Sequence, residues 1–206
     1  MQTIQQTNTI IFDLGAVLID WNPRHLYRKI FDSEEKMEWF LANVCTSDWN
    51  EEQDAGRSFA HAVESLSRVH PDYRNEIHAF WERWEEMLAG PIEGTVEIFN
   101  QLRQSRQYKI LALTNWSAET FPIAQKKYEF LTWFDGIVMS GEERTRKPHA
   151  EFYKILLNRY SVNAENSLFI DDNLRNIEAA RNLGIPSIHF IGPEALKAEL
   201  KKSGFL

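Results

Sequence analysis

Apolar residues along the chain come in two rhythms. The first is a set of short runs that end at a polar residue. They are Thr9–Phe12 before Asp13, Lys109–Leu113 before Thr114, Gly136–Met139 before Ser140, Ser167–Ile170 before Asp171, and Ser187–Phe190. Runs this short and this rich in Ile, Leu, Val and Phe read as strands buried on both faces. Between them, apolar positions recur at helical spacing. The spacing predicts helices over Thr95–Leu102, from Ser117, over Pro148–Tyr160, and over Asn173–Leu183, where Gly184 stops the last; a polar helix closes the chain. Strands alternating with helices predict an α/β fold with a doubly wound parallel sheet.

From Pro23 to about Ala89 the strand rhythm is absent. Asn22-Pro23 opens a helix carrying Leu26, Ile30 and Phe31. Ser33 begins a second, with Met37, Phe40, Leu41 and Val44 as its apolar face. Ser58–Val69 is a third, and Pro71–Leu88 reads as a fourth, with Tyr73, Ile77, Phe80 and Trp84 inward. Thr46–Glu52, between the second and third, is polar, aromatic and poorly helical. The division expected is an α/β core of residues 1–20 and 90–206 with a small helical insert at 21–89. An insert placed after the first strand lies at the C-terminal edge of the sheet, where open α/β folds bind ligands.

Composition changes this picture little. The 206 residues, 43% hydrophobic and 26% charged, suit a globular chain of more than one ordinary domain length. The unusual number is seven Trp, five of which (Trp21, Trp39, Trp49, Trp81 and Trp84) fall in the insert and would fill its small core. The net charge of −7 disfavours a nucleic-acid partner, because a phosphate backbone is repelled by that average field. The one cysteine, Cys45, forms no intramolecular disulfide and reads as a small core residue. No apolar run exceeds four residues, so no membrane span is expected. A cytoplasmic monomer or homodimer is the expectation.

Candidate chemistry collects at the strand ends. The first strand presents Asp13, the second Thr114 and Asn115, the segment after the third Lys147, and the fourth Asp171 and Asp172. Each alone has a plain reading as a turn, cap or surface residue. Together, on one edge of one sheet, they describe a site. Three clustered carboxylates repel one another unless a cation joins them, and hard oxygen ligands suit Mg²⁺. Such an ion neutralises a phosphate and leaves Asp13 to attack it, while Thr114, Asn115 and Lys147 offer donors and positive charge to the phosphoryl oxygens.

The segments Phe12-Asp13-Leu14-Gly15-Ala16-Val17, Leu113-Thr114-Asn115, Arg146-Lys147-Pro148 and Phe169-Ile170-Asp171-Asp172-Asn173 together resemble the four motifs of the haloacid dehalogenase-like hydrolases, over essentially the whole chain. The insert looks like that superfamily's small C1-type cap. The Asp-Leu-Gly start of the first motif is most similar to that of small bacterial sugar-phosphate phosphatases. The resemblance implies a Mg²⁺-dependent phosphatase with a Rossmann-like core, acting on a small phosphorylated metabolite. It makes Asp13 the nucleophile. It also implies that the metal is held by Asp13, the Gly15 carbonyl and Asp172, with Asp171 close by, and that Lys147 works with Thr114 and Asn115 on the phosphoryl group.

One position departs from the pattern. Most phosphatases of the superfamily carry a second Asp two residues after the nucleophile as general acid and base, and this chain has Gly15. Either the leaving group needs no help, as in an anomeric or acyl phosphate, or another acid comes from the insert. Asp20 and His25 are the nearest titratable residues in sequence. The departure keeps open a metal-independent 2-haloacid dehalogenase, which shares the nucleophile and the lysine, and a non-catalytic phosphoryl sensor. The Asp171-Asp172 pair favours the phosphatase. Trp49 and Trp116 are candidate pocket residues, and Arg24 and His25 candidate substrate contacts.

Overall fold

The structure is a computed structural model that describes residues 7–206; residues 1–6, assigned above to the core, lie outside the described residues. The chain opens with β1 (Thr9–Phe12), followed by β2 (Ile19–Trp21) and five helices: α1 (Arg24–Tyr27), α2 (Glu34–Asn43), α3 (Ser47–Asp54), α4 (Phe59–Val69) and α5 (Arg74–Glu82). Then come β3 (Leu88–Pro91), α6 (Glu93–Ser105), β4 (Lys109–Thr114), α7 (Phe121–Lys127), β5 (Gly136–Met139), α8 (Ser140–Glu143) and α9 (Ala150–Arg159). The chain closes with β6 (Ser167–Asp171), α10 (Leu174–Asn182), β7 (Ser187–His189) and α11 (Pro193–Lys202).

Five strands form one sheet in the order β5-β4-β1-β6-β7, and every pair is parallel. The chain builds outward from β1 in one direction through β4 and β5, then crosses to the other side for β6 and β7. The reversal places the C-terminal ends of β1 and β6 side by side, which is the topological switch point of a doubly wound sheet. Side-chain alternation divides the sheet's two faces. Ile10, Phe12, Ile110, Ala112, Leu168 and Ile170 join one apolar cluster; Ile11, Leu111, Leu113 and Phe169 join another, against Phe152, Tyr153 and Ile177.

The expected sheet is therefore present, with boundaries shifted by a residue: Thr114 and Asp171 complete their strands and Phe190 lies outside β7. Besides the shortness of α1, which ends before Ile30 and Phe31, the segment 23–89 departs from expectation in three ways. Its last residues enter β3, which pairs antiparallel with β2 to make the two-stranded ribbon through which the chain leaves and re-enters the core. Strands of three and four residues, one containing Gly90-Pro91, are too short to show a period. The fourth helix is broken: α5 ends at Glu82, because the φ of −120° at Arg83 leaves the helical region, and a 3₁₀ turn over Trp84–Met87 leads into β3. Thr46–Glu52 is helical after all. Thr46 caps α3 by accepting from the Trp49 N–H at 3.1 Å, Gln53 donates to the Trp49 carbonyl at 2.7 Å, and Trp49 packs edge-on against Phe80 at 5.0 Å. Tertiary anchoring of this kind makes a helix of a segment whose own pattern is weak. The helix expected from Ser117 likewise starts later, at Phe121.

The aromatic filling of the insert is done mainly by Tyr27, Phe40, Phe59 and Phe80, all fully buried, rather than by tryptophan. Of the five clustered Trp, Trp84 is buried, Trp21, Trp49 and Trp81 lie partly buried against the cluster, and Trp39 is 49% exposed. The insert and one face of the sheet share a single apolar cluster that runs from Ile10 through Met37 and Phe80 to Leu200. Among the described residues no helix is long and apolar enough to cross a membrane.

The loop that follows β4 and the start of α8 approach each other closely at Gly141. A Cβ there would lie 2.4 Å from the Ala118 nitrogen and 2.8 Å from the Trp116 carbonyl oxygen, both backbone atoms. Gly141→Ala is expected to cost about 1–3 kcal/mol, the usual range for overpacking a tight site. Equilibrium unfolding in denaturant checks this; an unchanged midpoint would show that the two segments yield freely.

Candidate active site

β1 ends one residue before Asp13, and the backbone ladder continues past it: the Asp13 N–H donates to the Ile170 carbonyl at 2.8 Å. Parallel pairing of β1 with β6 thus brings Asp13 beside Asp171. Carboxylate oxygens of Asp13, Asp171 and Asp172 come within 4.8 Å of one another. Lys147 reaches this group from the segment between α8 and α9. Its Nζ lies 2.8 Å from Asp13 Oδ1 and 2.7 Å from Asp171 Oδ2, and the side chain is almost wholly buried.

The three carboxylates are held differently. Asp13 Oδ1 accepts from the Leu14 N–H at 2.7 Å as well as from Lys147, so Oδ2 is its free oxygen. Asp171 has none free: Oδ1 accepts from the Asn173 N–H and Asn176 Nδ2, and Oδ2 from Lys147 and Asn176 again. Asp172 is exposed at the mouth, with its carbonyl 2.8 Å from His189 Nε2. Burial pushes the Asp13 carboxyl up to about 8; Lys147 opposes the rise, and the charges of Asp171 and Asp172 add to it. Desolvation and Asp171 raise Asp172 too. Burial pulls the Lys147 ammonium down, but Asp13 and Asp171 outweigh it, and its pKa is raised overall.

Three carboxylates against one ammonium leave two negative charges in excess when all are ionised. A divalent cation fits that deficit, and an all-oxygen donor set suits Mg²⁺. Gly15 lines the same cavity.

The remaining candidates fall into two groups. Asn115 lines the cavity and clamps Lys147 from both sides, accepting from its N–H at 2.9 Å and donating to its carbonyl at 3.0 Å. Thr114 ends β4 with its hydroxyl buried and without a hydrogen-bond partner. Trp116 is buried, donates from its indole to Thr120 at 3.0 Å, and bounds a small side pocket next to Gly15. Arg24 lines the main cavity, paired through Nη2 with Glu38 at 2.6 Å. Trp49, His25 and Asp20 are not brought together with these. Trp49 faces Phe80, and His25 and Asp20 pair with each other at 3.0 Å away from the cavity wall. Cys45 does line the cavity, but burial pushes its thiol up to about 12, which leaves it inert.

Two cavity residues are not legible in the motifs. Asn176 anchors Asp171 from α10. Asp54, the last residue of α3, faces the cavity from the insert. The cavity itself is about 620 Å³ and open to solvent, lined by the buried Asp13 and Lys147, by the exposed Asp172, and by residues of α2 and α3.

Comparison with known proteins gives the family and the fold. Residues 10–190 match the family described as haloacid dehalogenase-like hydrolase. A sesquiterpene phosphatase of Aspergillus oryzae is 26% identical over 93% of this chain and 94% of its own. A phosphorylated carbohydrates phosphatase of Thermotoga maritima is 21% identical over 87% of this chain and 83% of its own. Among solved structures, a Bacteroides thetaiotaomicron enzyme in complex with magnesium and inorganic phosphate superposes with a TM-score of 0.68 at 19% identity, covering 89% of this chain and 93% of its own. An L-2-haloacid dehalogenase of Xanthobacter autotrophicus does so with 0.63 at 15%, covering 97% and 84%. At these identities the two structures speak for the fold alone.

Magnesium is expected to raise the thermal unfolding midpoint, because a ligand bound only by the folded state stabilises it by mass action. The shift should grow from mildly acidic pH towards about 8, since Asp13 must lose its proton to accept the ion. Asp172→Asn should remove most of the shift. Differential scanning fluorimetry checks all three; a midpoint indifferent to magnesium at every pH would rule out the acidic group as a metal site.

Proposed function

The chain belongs to the haloacid dehalogenase-like hydrolases, and on that premise we propose that it is a magnesium-dependent phosphomonoester hydrolase acting through an aspartyl-phosphate on Asp13. The observation that carries this reading is the acidic group itself. Asp13 keeps one free oxygen near the exposed carboxylate of Asp172, and a cation between them would relieve their repulsion. Asp13, Asp172 and the Gly15 carbonyl would hold the magnesium, with Asp171 behind them. When bound, the ion supplies the positive charge that shields an incoming phosphate from the carboxylates and stabilises charge developing on it.

The chain's own residues do the rest. Lys147 fixes one oxygen of Asp13, which leaves the other for the phosphorus, and its charge, shared with Asp13 and Asp171 at the cavity wall, also attracts the phosphoryl oxygens. Asn115, on the cavity wall, holds the Lys147 backbone in register. The Thr114 hydroxyl, buried at the end of β4 and without a partner, would donate to a phosphoryl oxygen that reached it from the neighbouring cavity. Fixed donors and charges of this kind are what a phosphoryl-transfer transition state requires. Residues 21–89 serve as the cap that shapes the entrance and sheds water.

The substrate is a small phosphorylated metabolite. The cavity has the volume of an ordinary small-molecule site. Trp21, Leu41 and Phe80 share its wall with Asn22, Arg24 and Glu38, which suits a hydroxylated carbon skeleton such as a sugar phosphate. The resemblance to a sesquiterpene phosphatase makes an apolar skeleton the other class to include in a screen.

Phosphate release from a panel of sugar and isoprenyl monophosphates should require magnesium and vanish with EDTA. Asp13→Asn should lower it by at least about 10³-fold, as expected when a covalent nucleophile is lost. Halide release from 2-haloacids that survives EDTA would replace this reading with the dehalogenase.

A further inference from the structure

Gly15 leaves a gap in the proton chemistry of the site, and the same gap exists in space. Nothing lies within 4 Å of where a Cβ on Gly15 would stand. Facing that space from the insert is Asp54. It bounds the main cavity together with Asp13, Gly15, Asn115 and Lys147, and it also bounds the side pocket that Gly15 shares with Trp116.

Its position follows from how α3 is held. Trp49 and Gln53 turn inward, with Trp49 on Phe80 and Gln53 buried. Asn50 and Asp54, one turn apart, therefore share the neighbouring, cavity-lining face, and Asn50 Nδ2 donates to Asp54 Oδ2 at 3.3 Å. Glu51 pins the helix to the core through Arg146 at 3.2 Å and Arg175 at 3.0 Å. The cations nearby are all committed elsewhere: Arg146 to Glu51 and Glu52, Lys147 to Asp13 and Asp171, and Arg57 to Gln53 and the Trp49 carbonyl. Among the described residues, Asp54 is a cavity-facing carboxyl without an ion pair.

We propose that Asp54 performs the proton transfer that Gly15 cannot. The inference rests on the phosphatase reading above. In the first step an Asp13 oxygen forms its bond to phosphorus. The bond from phosphorus to the leaving oxygen breaks, its electron pair goes to that oxygen, and the oxygen takes the Asp54 proton and departs as the alcohol. In the second step a water oxygen bonds to phosphorus, the pair of the breaking bond returns to the Asp13 carboxylate, and the water proton goes to Asp54. Water is the only other reactant, and Asp54 ends as it began.

The surroundings suit both directions. Burial pushes the Asp54 carboxyl up to about 7 and Glu51 adds to the rise, while Arg146, a hydrogen bond from the Ser117 backbone and Lys147 oppose it. Its place at the C-terminal end of α3, where carbonyl dipoles disfavour an anion, acts in the same direction as burial. A group that exchanges its proton near neutrality works as acid in one step and base in the next.

A purely structural Asp54, latching α3 to Ser117, predicts something different, and leaving-group dependence separates the two. Asp54→Asn should lower kcat/KM for alkyl phosphates by about 10²–10⁴-fold, the usual share of general acid–base catalysis, and for p-nitrophenyl phosphate, whose leaving group needs no proton, far less. The wild-type kcat/KM for alkyl phosphates should fall as the pH passes about 7, and the variant should lack that limb. Gly15→Asp added to Asp54→Asn should restore part of the loss, since the space beside Gly15 is open. Retention of the magnesium-induced thermal shift confirms that the variant is folded. Equal losses across leaving groups with an unchanged pH profile would overturn the proposal, and so would no loss at all. A wild-type protein that hydrolyses no phosphoester would instead overturn the phosphatase reading on which the proposal stands.

Discussion

A single buried ammonium organises this molecule. Lys147 lies between Asp13 and Asp171 at hydrogen-bond distance from each, with almost no access to water. Burying such a group is costly unless its charge and its donors are matched closely. The matching draws on distant parts of the chain. Parallel pairing of β1 and β6 sets the two carboxylates side by side, Asn115 grips the Lys147 backbone from the end of β4, and Asn176 with the Asn173 N–H fills the remaining oxygens of Asp171. The doubly wound sheet can be read as the frame that makes this burial tolerable.

The same matching leaves a deliberate imbalance. Asp171 is saturated, but Asp13 retains one free oxygen and Asp172 stands exposed at the mouth. Hydrogen bonding is complete around Asp171, while Asp13 and Asp172 carry negative charge that Lys147 alone does not balance, at the place a metal and a phosphate would reach from solvent. The acidity of the whole chain is thus no obstacle to an anionic substrate, because the field that matters is local.

The helical insert is joined to the sheet twice over. Apolar packing is continuous between them through one cluster, and ion pairs from Glu51 to Arg146 and Arg175 fasten α3 across the cavity. The apolar part is insensitive to salt, whereas the partly exposed pairs are screened by it. The insert carries the wall that any substrate body meets, so selectivity and proton transfer are both expected on its surface rather than on the sheet.

The five strands, their parallel winding and the residues at their ends were legible because they are local. A β-rich run and the polar residue that ends it are neighbours in sequence, and a parallel sheet aligns all such ends on one edge. Asp13, Asn115, Lys147, Asp171 and Asp172 could be named together for that reason. The short ribbon of β2 and β3, the break at Arg83 and the helicity of Ser47–Asp54 were not legible, because pairing, turning and anchoring by Phe80 come from residues far along the chain. Asp54 shows the limit most clearly. Its sequence signal is one polar i, i+4 pair with Asn50 on a short acidic helix, and nearest-neighbour reasoning pointed instead to Asp20 and His25, which pair with each other. The sequence by itself determined which groups the sheet edge offers. Only the tertiary structure decided which side chain of the insert stands over Gly15, because that depends on which face of α3 packs inward.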